Sequence, residues 1–247
     1  MNFIGIIPAR YASTRFPGKP LLDINGKSMI QRVYEQAGKA LEYVVVATDD
    51  ERIYKHVEAF GGRVVMTSDK HRSGTDRCAE AIRKIQPDFP NVSFDVVINI
   101  QGDEPFIQPE QLRLLKSCFE DEISIATLAK PITTPDELFN PNVVKVIVNR
   151  NNRALYFSRS VIPYQRNAEQ TTWVSSFQYL KHIGIYAYKV STLKEITLLS
   201  PSSLEIAESL EQNRWLENEY SIYVQPTNLE TIAIDTPEDL EKVRNMI

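Results

Sequence analysis

The regular alternation of strand patterns and helix patterns over the first 66 residues constrains the fold of this chain most. Continuous apolar runs at 3–7, 43–47 and 64–66 are typical of strands that are buried on both faces. Apolar residues at helical spacing predict two helices between them, over 30–41 and 53–60. Strands that alternate with helices in this way form parallel sheets, so the sequence predicts an α/β fold.

Local signals predict where these first elements begin and end. Thr48 or Asp49 is expected to cap the second helix, and Gly61-Gly62 is expected to stop it. Asn25-Gly26 predicts a tight turn before the first helix.

Later in the chain the alternation becomes less strict. Residues 142–148 and 153–157 are predicted to pair as antiparallel strands around a polar turn, and 164–179 shows little pattern. This part is interpreted as a strand-rich lobe on the parallel sheet and not as a separate domain. A helix is predicted over 204–217, with Glu211 on its apolar arc. A buried carboxylate there needs either an arginine partner or a ligand hydroxyl.

Size, charge and cysteine content exclude several classes of protein. The chain has 247 residues, of which 43% are hydrophobic, enough to bury a full core. The formal net charge is −4 and no basic face is evident, so we expect no nucleic-acid partner. No stretch approaches the roughly 20 apolar residues of a membrane span, and no signal peptide is recognised. We therefore expect no membrane partner. Two cysteines, Cys78 and Cys118, fit a reducing cytoplasm and are expected to be ordinary core residues.

The loop after the first strand carries three cations, Arg10, Arg15 and Lys19. Pro17 and Pro20 prevent this loop from being helical, and its small residues leave backbone N–H groups open to a ligand. Exposed N–H groups beside fixed positive charge are typical of a polyphosphate site. A solvated surface loop is the alternative, but the position directly after a buried strand favours a ligand.

A helix start at Ser73-Gly74-Thr75 is a second candidate for ligand contact. Ser73 or Thr75 can cap the helix, and Gly74 allows a close approach of the backbone. Helix N-termini favour anions, although a simple capped helix explains this segment equally well.

Two aspartates at the ends of predicted strands are candidate metal ligands. Asp103 follows the strand predicted at 95–100, and Asp235 ends a short strand near the C-terminus. Ligands in open α/β sheets bind beyond the carboxyl ends of strands, although an aspartate there is more often a turn former. Two carboxylates 4 Å apart would repel by roughly 4 kcal/mol at an effective dielectric of 20. A divalent cation removes that repulsion, and oxygen ligands select Mg²⁺.

The order of these motifs resembles that of the 3-deoxy-D-manno-octulosonate (Kdo) cytidylyltransferase family along nearly the whole chain. The matching stretches are IPARYASTR at 7–15, PGKP at 17–20, SGTDR at 73–77, QGDEP at 101–105, FNPN at 139–142, ALYFSR at 154–159, HIGIY at 182–186, LEQ at 210–212 and DTPEDL at 235–240. The poorest match lies at 166–180.

The resemblance implies a Rossmann-like nucleotidyltransferase fold, with a mostly parallel central sheet flanked by helices and a smaller strand-rich lobe. It implies a single domain over 1–247, with a lobe for sugar binding and dimerisation at about 130–190. The implied reaction is CTP + Kdo → CMP-Kdo + diphosphate, for lipopolysaccharide biosynthesis. A cytoplasmic homodimer that uses Mg²⁺ is implied as well.

Site residues are also implied, position by position. The catalytic set is Arg10, Lys19, Asp103 and Asp235. The nucleotide-binding set is Pro8, Ala9, Arg10, Arg15, Lys19, Ser73, Gly74 and Gln101. The sugar-binding set is Arg159, His182, Tyr186, Glu211 and Gln212. The metal ligands are Asp103 and Asp235.

Three other functions remain open at this point. The nearest alternative is a cytidylyltransferase for another acidic sugar such as sialic acid, which would share the first loop. A dinucleotide-dependent oxidoreductase is disfavoured because no G-x-G-x-x-G follows the first strand. A nucleotide-binding regulator without catalysis would not need the two aspartates for turnover.

Overall fold

The structure, a computed structural model, describes residues 1–12, 16–120, 122–229, 234 and 239–241. The strands are β1 Phe3–Ala9, β2 Asp23–Ile24, β3 Lys27–Ser28, β4 Tyr43–Thr48, β5 Val64–Met66, β6 Val96–Asn99, β7 Ile125–Pro131, β8 Lys145–Val148, β9 Ala154–Ser158, β10 Leu180–Lys189 and β11 Ile222–Pro226. The α-helices are α1 Met29–Gly38, α2 Glu51–Ala59, α3 Gly74–Ile85, α4 Pro109–Ser117, α5 Pro135–Phe139, α6 Trp173–Ser176, α7 Val190–Ile196, α8 Ser203–Glu208 and α9 Gln212–Glu217. Short 3₁₀ turns lie at Lys19–Leu21, Gln86–Asp88, Cys118–Glu120 and Gln170–Thr172.

The chain divides into two compact units. The first unit comprises Met1–Lys116, Ala187–Thr197 and Glu230–Ile247. The second unit comprises Ser117–Tyr186 and Leu198–Leu229. Residues 130–186 of the lobe that the sequence predicts therefore belong to the second unit, and its role in sugar binding and dimerisation stays a prediction.

The first unit is organised around a parallel sheet. Its strands run in the order β6-β1-β4-β5, and each neighbouring pair is parallel. The side chains of β6 and most of those of β1 and β4 are buried, as continuous apolar runs predict. Because β1 and β6 are parallel neighbours, their carboxyl ends lie at the same edge of the sheet. The strand–helix alternation predicted from the sequence is confirmed.

The caps of the first unit partly follow the predictions. Gly61 has a φ of 80° just after α2, and Asn25-Gly26 forms the tight turn between β2 and β3. The cap predicted at Thr48 or Asp49 is wrong, because the N-cap of α2 is Asp50. Thr48 is still part of β4, where its hydroxyl accepts the N–H of Asp50 at 3.2 Å. The carboxylate of Asp49 accepts a hydrogen bond from Arg77 instead.

The second unit has a mixed arrangement of strands. β11 pairs with β7 in parallel, whereas β8 pairs antiparallel with both β9 and β10. The predicted antiparallel pair is confirmed as β8 and β9. The weakly patterned stretch at 164–179 contains Trp173, which is buried in an apolar cluster with Tyr179, Ile132 and Leu138. Tertiary packing therefore orders a segment that local periodicity does not.

The single helix predicted over 204–217 is wrong. Two helices, α8 and α9, occupy this stretch, and Ser209 between them has a φ of 51°. A left-handed residue ends an α-helix, so the helical wheel does not extend from Leu204 to Glu211. Glu211 occupies the N-cap position of α9, and its placement on an apolar arc was therefore also wrong.

Two further predictions concern membranes and cysteines. None of the helices in the described ranges combines the length and the apolar character that a membrane span requires. Both cysteines are buried thiols. Burial raises the pKa of the Cys118 thiol to about 11, so this group stays protonated at neutral pH.

Candidate functional site

A cavity of about 320 Å³ opens in the first unit at the carboxyl ends of β1 and β6. Its walls come from three places in the sequence: the end of β1 with the loop after it, the start of α3, and the segment that follows β6. The lining residues are Pro8, Ala9, Arg10, Lys19, Pro20, His71, Arg72, Ser73, Gly74, Arg77, Gln101, Gly102 and Asp103. This is the position at which open α/β sheets bind their ligands.

Pro8 brings the three walls together through two glycines. A Cβ atom on Gly102 would lie 2.8 Å from the carbonyl oxygen of Pro8, closer than real Cβ atoms approach backbone. A Cβ on Gly74 would touch the Pro8 ring at 3.4 Å. The absence of a side chain at 102 therefore lets the segment after β6 lie directly against the end of β1. The start of α3 packs against the same proline.

The loop after β1 places Lys19 in the cavity wall. Gly18 has a φ of 73°, and its N–H donates to the carbonyl of Tyr11 at 3.0 Å, which draws the two sides of the loop together. A side chain at Gly18 would be strained by that φ and would press on the Tyr11 ring. The 3₁₀ turn at Lys19–Leu21 begins immediately afterwards, so the lysine projects from a fixed point.

Lys19 and Asp103 form an ion pair across this cavity. Lys19 Nζ lies 2.9 Å from Asp103 Oδ2, and the two side chains are 11% and 35% exposed. A partly exposed pair gains little stability. Both charges stay accessible to the cavity, and a ligand with charges of both signs can exchange with this pair.

The start of α3 adds a second positive element. The Ser73 side chain caps this twelve-residue helix by accepting the N–H of Asp76 at 3.1 Å. The N-terminus of a helix carries partial positive charge and favours anions. Farther into the helix, Arg77 is buried and donates to Thr67 and Asp49, so its charge is already balanced by a carboxylate.

The structure brings together most of the nucleotide-binding residues that the resemblance implies. The described residues of that set that line the cavity are Pro8, Ala9, Arg10, Lys19, Ser73, Gly74 and Gln101, and the metal ligand Asp103 lines it too. Arg15 and Asp235 lie outside the described residues. The backbone N–H of Ile234, which directly precedes Asp235, donates to the carbonyl of Asp103 at 3.1 Å.

The cavity wall also contains residues for which the sequence predicts no role, among them His71, Arg72 and Arg77. His71 is paired with Glu80 on α3. Burial acts to raise the pKa of Glu80, but hydrogen bonds from Lys84, the Ser68 N–H and His71 outweigh it and lower that pKa to about 2. The only signal for His71 in the sequence was its position just before Ser73-Gly74.

Arg159, implied as a sugar ligand, belongs to the second unit. Its guanidinium donates to three backbone carbonyls: from Nε to Glu208 at 2.8 Å, from Nη1 to Pro141 at 3.2 Å and from Nη2 to Ser209 at 3.4 Å. Its backbone N–H donates to the Glu208 carboxylate at 2.9 Å. A guanidinium has five N–H groups, so these bonds leave one on each terminal nitrogen.

His182 is held in a neutral form in the second unit. Burial lowers its pKa to about 3. The Thr127 hydroxyl donates to the carbonyl of Ile185 at 2.7 Å and lies 3.0 Å from His182 Nε2. Since the hydroxyl has one proton, it accepts from Nε2–H, and Nδ1 of the imidazole is left as an acceptor.

Tyr186, another implied sugar ligand, lies beside His182. The Tyr186 ring lies 5.1 Å from the His182 ring and 5.1 Å from that of Trp215. Burial and then the charge of Glu211 raise the pKa of Tyr186 well above its ordinary value. Gln212 is buried at the start of α9. The second unit therefore presents hydrogen-bonding groups that are mostly neutral and already packed.

No cluster of three or more histidine, cysteine, aspartate or glutamate side chains suitable for a metal occurs in the part of the chain that the structure describes. Asp103 alone of the two predicted metal ligands is described. Magnesium is usually held by one or two carboxylates together with substrate phosphates and water, so a larger protein cluster is not required.

A parallel sheet with a cation-lined cavity at the ends of its strands defines an α/β nucleotide-binding protein. The chain matches the family model described as cytidylyltransferase over residues 4–240, and it belongs to that family. The mostly parallel central sheet flanked by helices confirms the predicted fold class.

Proteins of named function are similar to this chain over almost its whole length. The 3-deoxy-manno-octulosonate cytidylyltransferase of Parabacteroides distasonis is 62% identical over 98% of this chain and 96% of the relative. The enzyme of the same name from Bacteroides thetaiotaomicron is 60% identical over 100% of this chain and 98% of the relative. A solved structure of CMP:2-keto-3-deoxy-manno-octonic acid synthetase complexed with CTP has a TM-score of 0.89 and 45% identity, covering 100% of this chain and 98% of that one.

Proposed function

We propose that this protein catalyses CTP + Kdo → CMP-Kdo + diphosphate. The observation that carries the proposal is that one cavity gathers Arg10, Lys19 and Asp103 beside the start of α3. The relatives named for this activity, which match the chain end to end, favour Kdo over sialic acid as the sugar. CMP-Kdo would then serve lipopolysaccharide biosynthesis.

In this proposal the cavity binds the nucleotide. Arg10 and Lys19 contact the triphosphate, and each charge-assisted contact contributes about 1.5–3 kcal/mol. Arg15 assists them. Ala9, Ser73, Gly74 and Gln101, which line the cavity, bind the base and the ribose.

Mg²⁺ is the proposed cofactor, with Asp103 and Asp235 as its protein ligands. The Asp103 carboxylate is partly exposed in the cavity and has Lys19 on only one of its oxygens, which fits a hard cation that also uses phosphate oxygens. The assignment of Asp235 rests on the family resemblance, and Ile234, which precedes it in the sequence, donates its backbone N–H to the carbonyl of Asp103. When bound, Mg²⁺ would neutralise triphosphate charge and lower the pKa of the sugar hydroxyl.

The second unit supplies the proposed sugar ligands. Arg159 binds the sugar carboxylate through the two N–H groups that its backbone contacts leave over, because a planar fork matches a carboxylate. His182, Tyr186, Glu211 and Gln212 bind the hydroxyl groups. A neutral His182 contributes a hydrogen bond there and no charge.

The proposed reaction is a direct transfer. The sugar hydroxyl oxygen bonds to the α-phosphorus in line, the bond from that phosphorus to the bridging oxygen breaks, and the hydroxyl proton is released. Arg10 and Lys19 stabilise the charge on the departing diphosphate. A covalent intermediate on cysteine is not needed, and a thiol with a pKa of about 11 is a poor nucleophile.

We propose further that the protein is a homodimer that works in the cytoplasm. Both statements rest on the family resemblance. Sedimentation of the purified chain tests the first, and a monomer at all concentrations would contradict it. Fractionation of cells that contain the tagged protein tests the second.

The direct test of the proposed function is an assay of diphosphate release. CTP with Mg²⁺ is combined with Kdo, with sialic acid, or with no sugar, and the product is identified by mass spectrometry. We expect release only with Kdo. Faster turnover with sialic acid would show that the sugar assignment is wrong, and release without sugar would indicate a nucleotide hydrolase.

A further inference from the structure

The pair formed by His71 and Glu80 gives one wall of the cavity a defined hydrogen-bonding polarity. Glu80 Oε2 accepts the Ser68 N–H at 2.8 Å and faces His71 Nε2. Glu80 Oε1 lies 2.7 Å from Lys84 Nζ. The Glu80 side chain is 11% exposed and that of His71 is 21% exposed, so the carboxylate is packed under the imidazole while the ring still lines the cavity.

This arrangement determines which ring nitrogen of His71 carries the proton. A carboxylate oxygen that already accepts one N–H can only accept from Nε2, so Nε2 is the donor. In the neutral imidazole the other nitrogen, Nδ1, then carries a lone pair. Nδ1 has no hydrogen-bond partner among the residues that the structure describes. The cavity wall therefore presents an acceptor at a fixed place.

An acceptor discriminates among nucleobases. Cytosine carries an exocyclic amine, N4–H₂, which is a donor, whereas uracil has a carbonyl oxygen at that position, as thymine does. An amine can donate to Nδ1, but a carbonyl oxygen would place two lone pairs against each other. The rest of the cavity that faces the triphosphate treats CTP and UTP alike, because the two molecules differ only in the base.

We propose that His71 is a specificity-determining residue, which accepts a hydrogen bond from the cytosine amine through Nδ1 and so makes the site select CTP over UTP. Glu80 is the positioning residue that holds the proton on Nε2. This inference rests on the proposed function for the identity of the nucleotide and adds the group that recognises its base.

The test compares kcat/KM for CTP and for UTP, with Kdo as the acceptor, in the full chain. In H71F the ring shape remains but the acceptor is lost, and we expect the preference for CTP to fall by about tenfold or more. H56F is the matched control, because His56 contacts Ser28 and does not line the cavity. We expect H56F to keep the preference. An unchanged preference in H71F would overturn the proposal.

Variants at Glu80 test whether this residue sets the position of the proton on His71 or only stabilises the surrounding structure. E80Q keeps a carbonyl oxygen for Ser68 and His71, so the preference for CTP should change less than about twofold. E80M removes the acceptor and frees Nδ1 to carry the proton, so the preference should fall as in H71F. Equal preferences in E80Q and E80M would contradict the role of Glu80.

Two measurements do not depend on turnover. Nitrogen NMR of labelled His71 should show the proton on Nε2, and the Nδ1 signal should shift when CTP but not UTP is added. A proton on Nδ1 would overturn the proposal even if a variant fails to fold. The two proposals fail in different measurements. An absence of turnover with Kdo contradicts the proposed function. Equal affinities for CTP and UTP, measured by calorimetry, contradict the role of His71.

Discussion

The cavity of the first unit and the implied sugar ligands of the second unit differ in the charge and the exposure of their side chains. In the first unit the charged groups are accessible: Arg10 is exposed, and Asp103 is 35% exposed beside Lys19. In the second unit Arg159 is tied to three carbonyls and His182 is neutral. Accessible charges suit a highly charged ligand that must also leave. A ligand recognised mainly by hydrogen bonds needs groups held at fixed positions, because a misplaced neutral group forms no hydrogen bond and adds no binding energy.

The largest expected effect tests the charged cavity. D103N keeps the shape of the side chain but removes its charge, and we expect turnover to fall by about a thousandfold or more while CTP binding stays measurable. The measurements are diphosphate release and calorimetry with CTP. D235N should behave in the same way. The control is D136N, which changes an exposed aspartate in the first turn of α5. Normal rates in both D103N and D235N would show that the metal assignment is wrong.

The next effect tests the second unit. R159K keeps the charge but loses the planar fork, so one ammonium group cannot both hold the three carbonyls and bind a carboxylate. We expect the KM for Kdo to rise by about 10- to 100-fold, the cost of one or two charge-assisted contacts, with CTP affinity unchanged. R153K is a matched control, because Arg153 lies over the Tyr223 ring. A rise in the KM for CTP instead would place Arg159 at the nucleotide.

The neutral state of His182 in the second unit can be tested by the loss of stability in acid. Its pKa is about 3 in the folded protein, below the ordinary value of 6.5, so the unfolded chain takes up the proton first. Stability is therefore full above pH 6.5 and falls as the pH drops towards 3. One unit below 6.5 the loss is about 1.4 kcal/mol. H182Q should lose less free energy of unfolding than the unaltered protein between about pH 7 and pH 5.5 in urea titrations. Identical losses would mean that His182 is not protected from protonation.

The smallest effect compares the caps of one helix in each unit. Ser73 caps α3, and Ser202 caps α8, where the Glu205 carboxylate accepts the Ser202 N–H in return. S73A and S202A should each lower the free energy of unfolding by about 1 kcal/mol. Only S73A should also weaken CTP binding, by about two- to fivefold, because the start of α3 lines the cavity. Equal CTP affinities in the two variants would show that the N-terminus of α3 does not contribute to nucleotide binding.

Helix and strand periodicity predicted the first unit well because its strands are buried on both faces and its helices carry one apolar stripe. The same reasoning failed at 204–217, where the residue types are compatible with one helix. A single left-handed residue, Ser209, breaks it there, and the carbonyls of Glu208 and Ser209 accept from Arg159, about 50 positions earlier in the chain. Local patterns carry no information on such a contact.

By itself the sequence determined the parallel sheet, the loop of cations after β1 and the family motifs, because each depends on residues that are neighbours in the chain. Only the tertiary structure decided which groups meet: Lys19 with Asp103, Gly102 with the Pro8 carbonyl, and His71 with Glu80. These contacts join segments that are separated in the sequence, and hydrophobic periodicity does not predict which separated segments meet. The exposure and the protonation state of these side chains depend on the residues packed around them, which come from several separate stretches of the sequence.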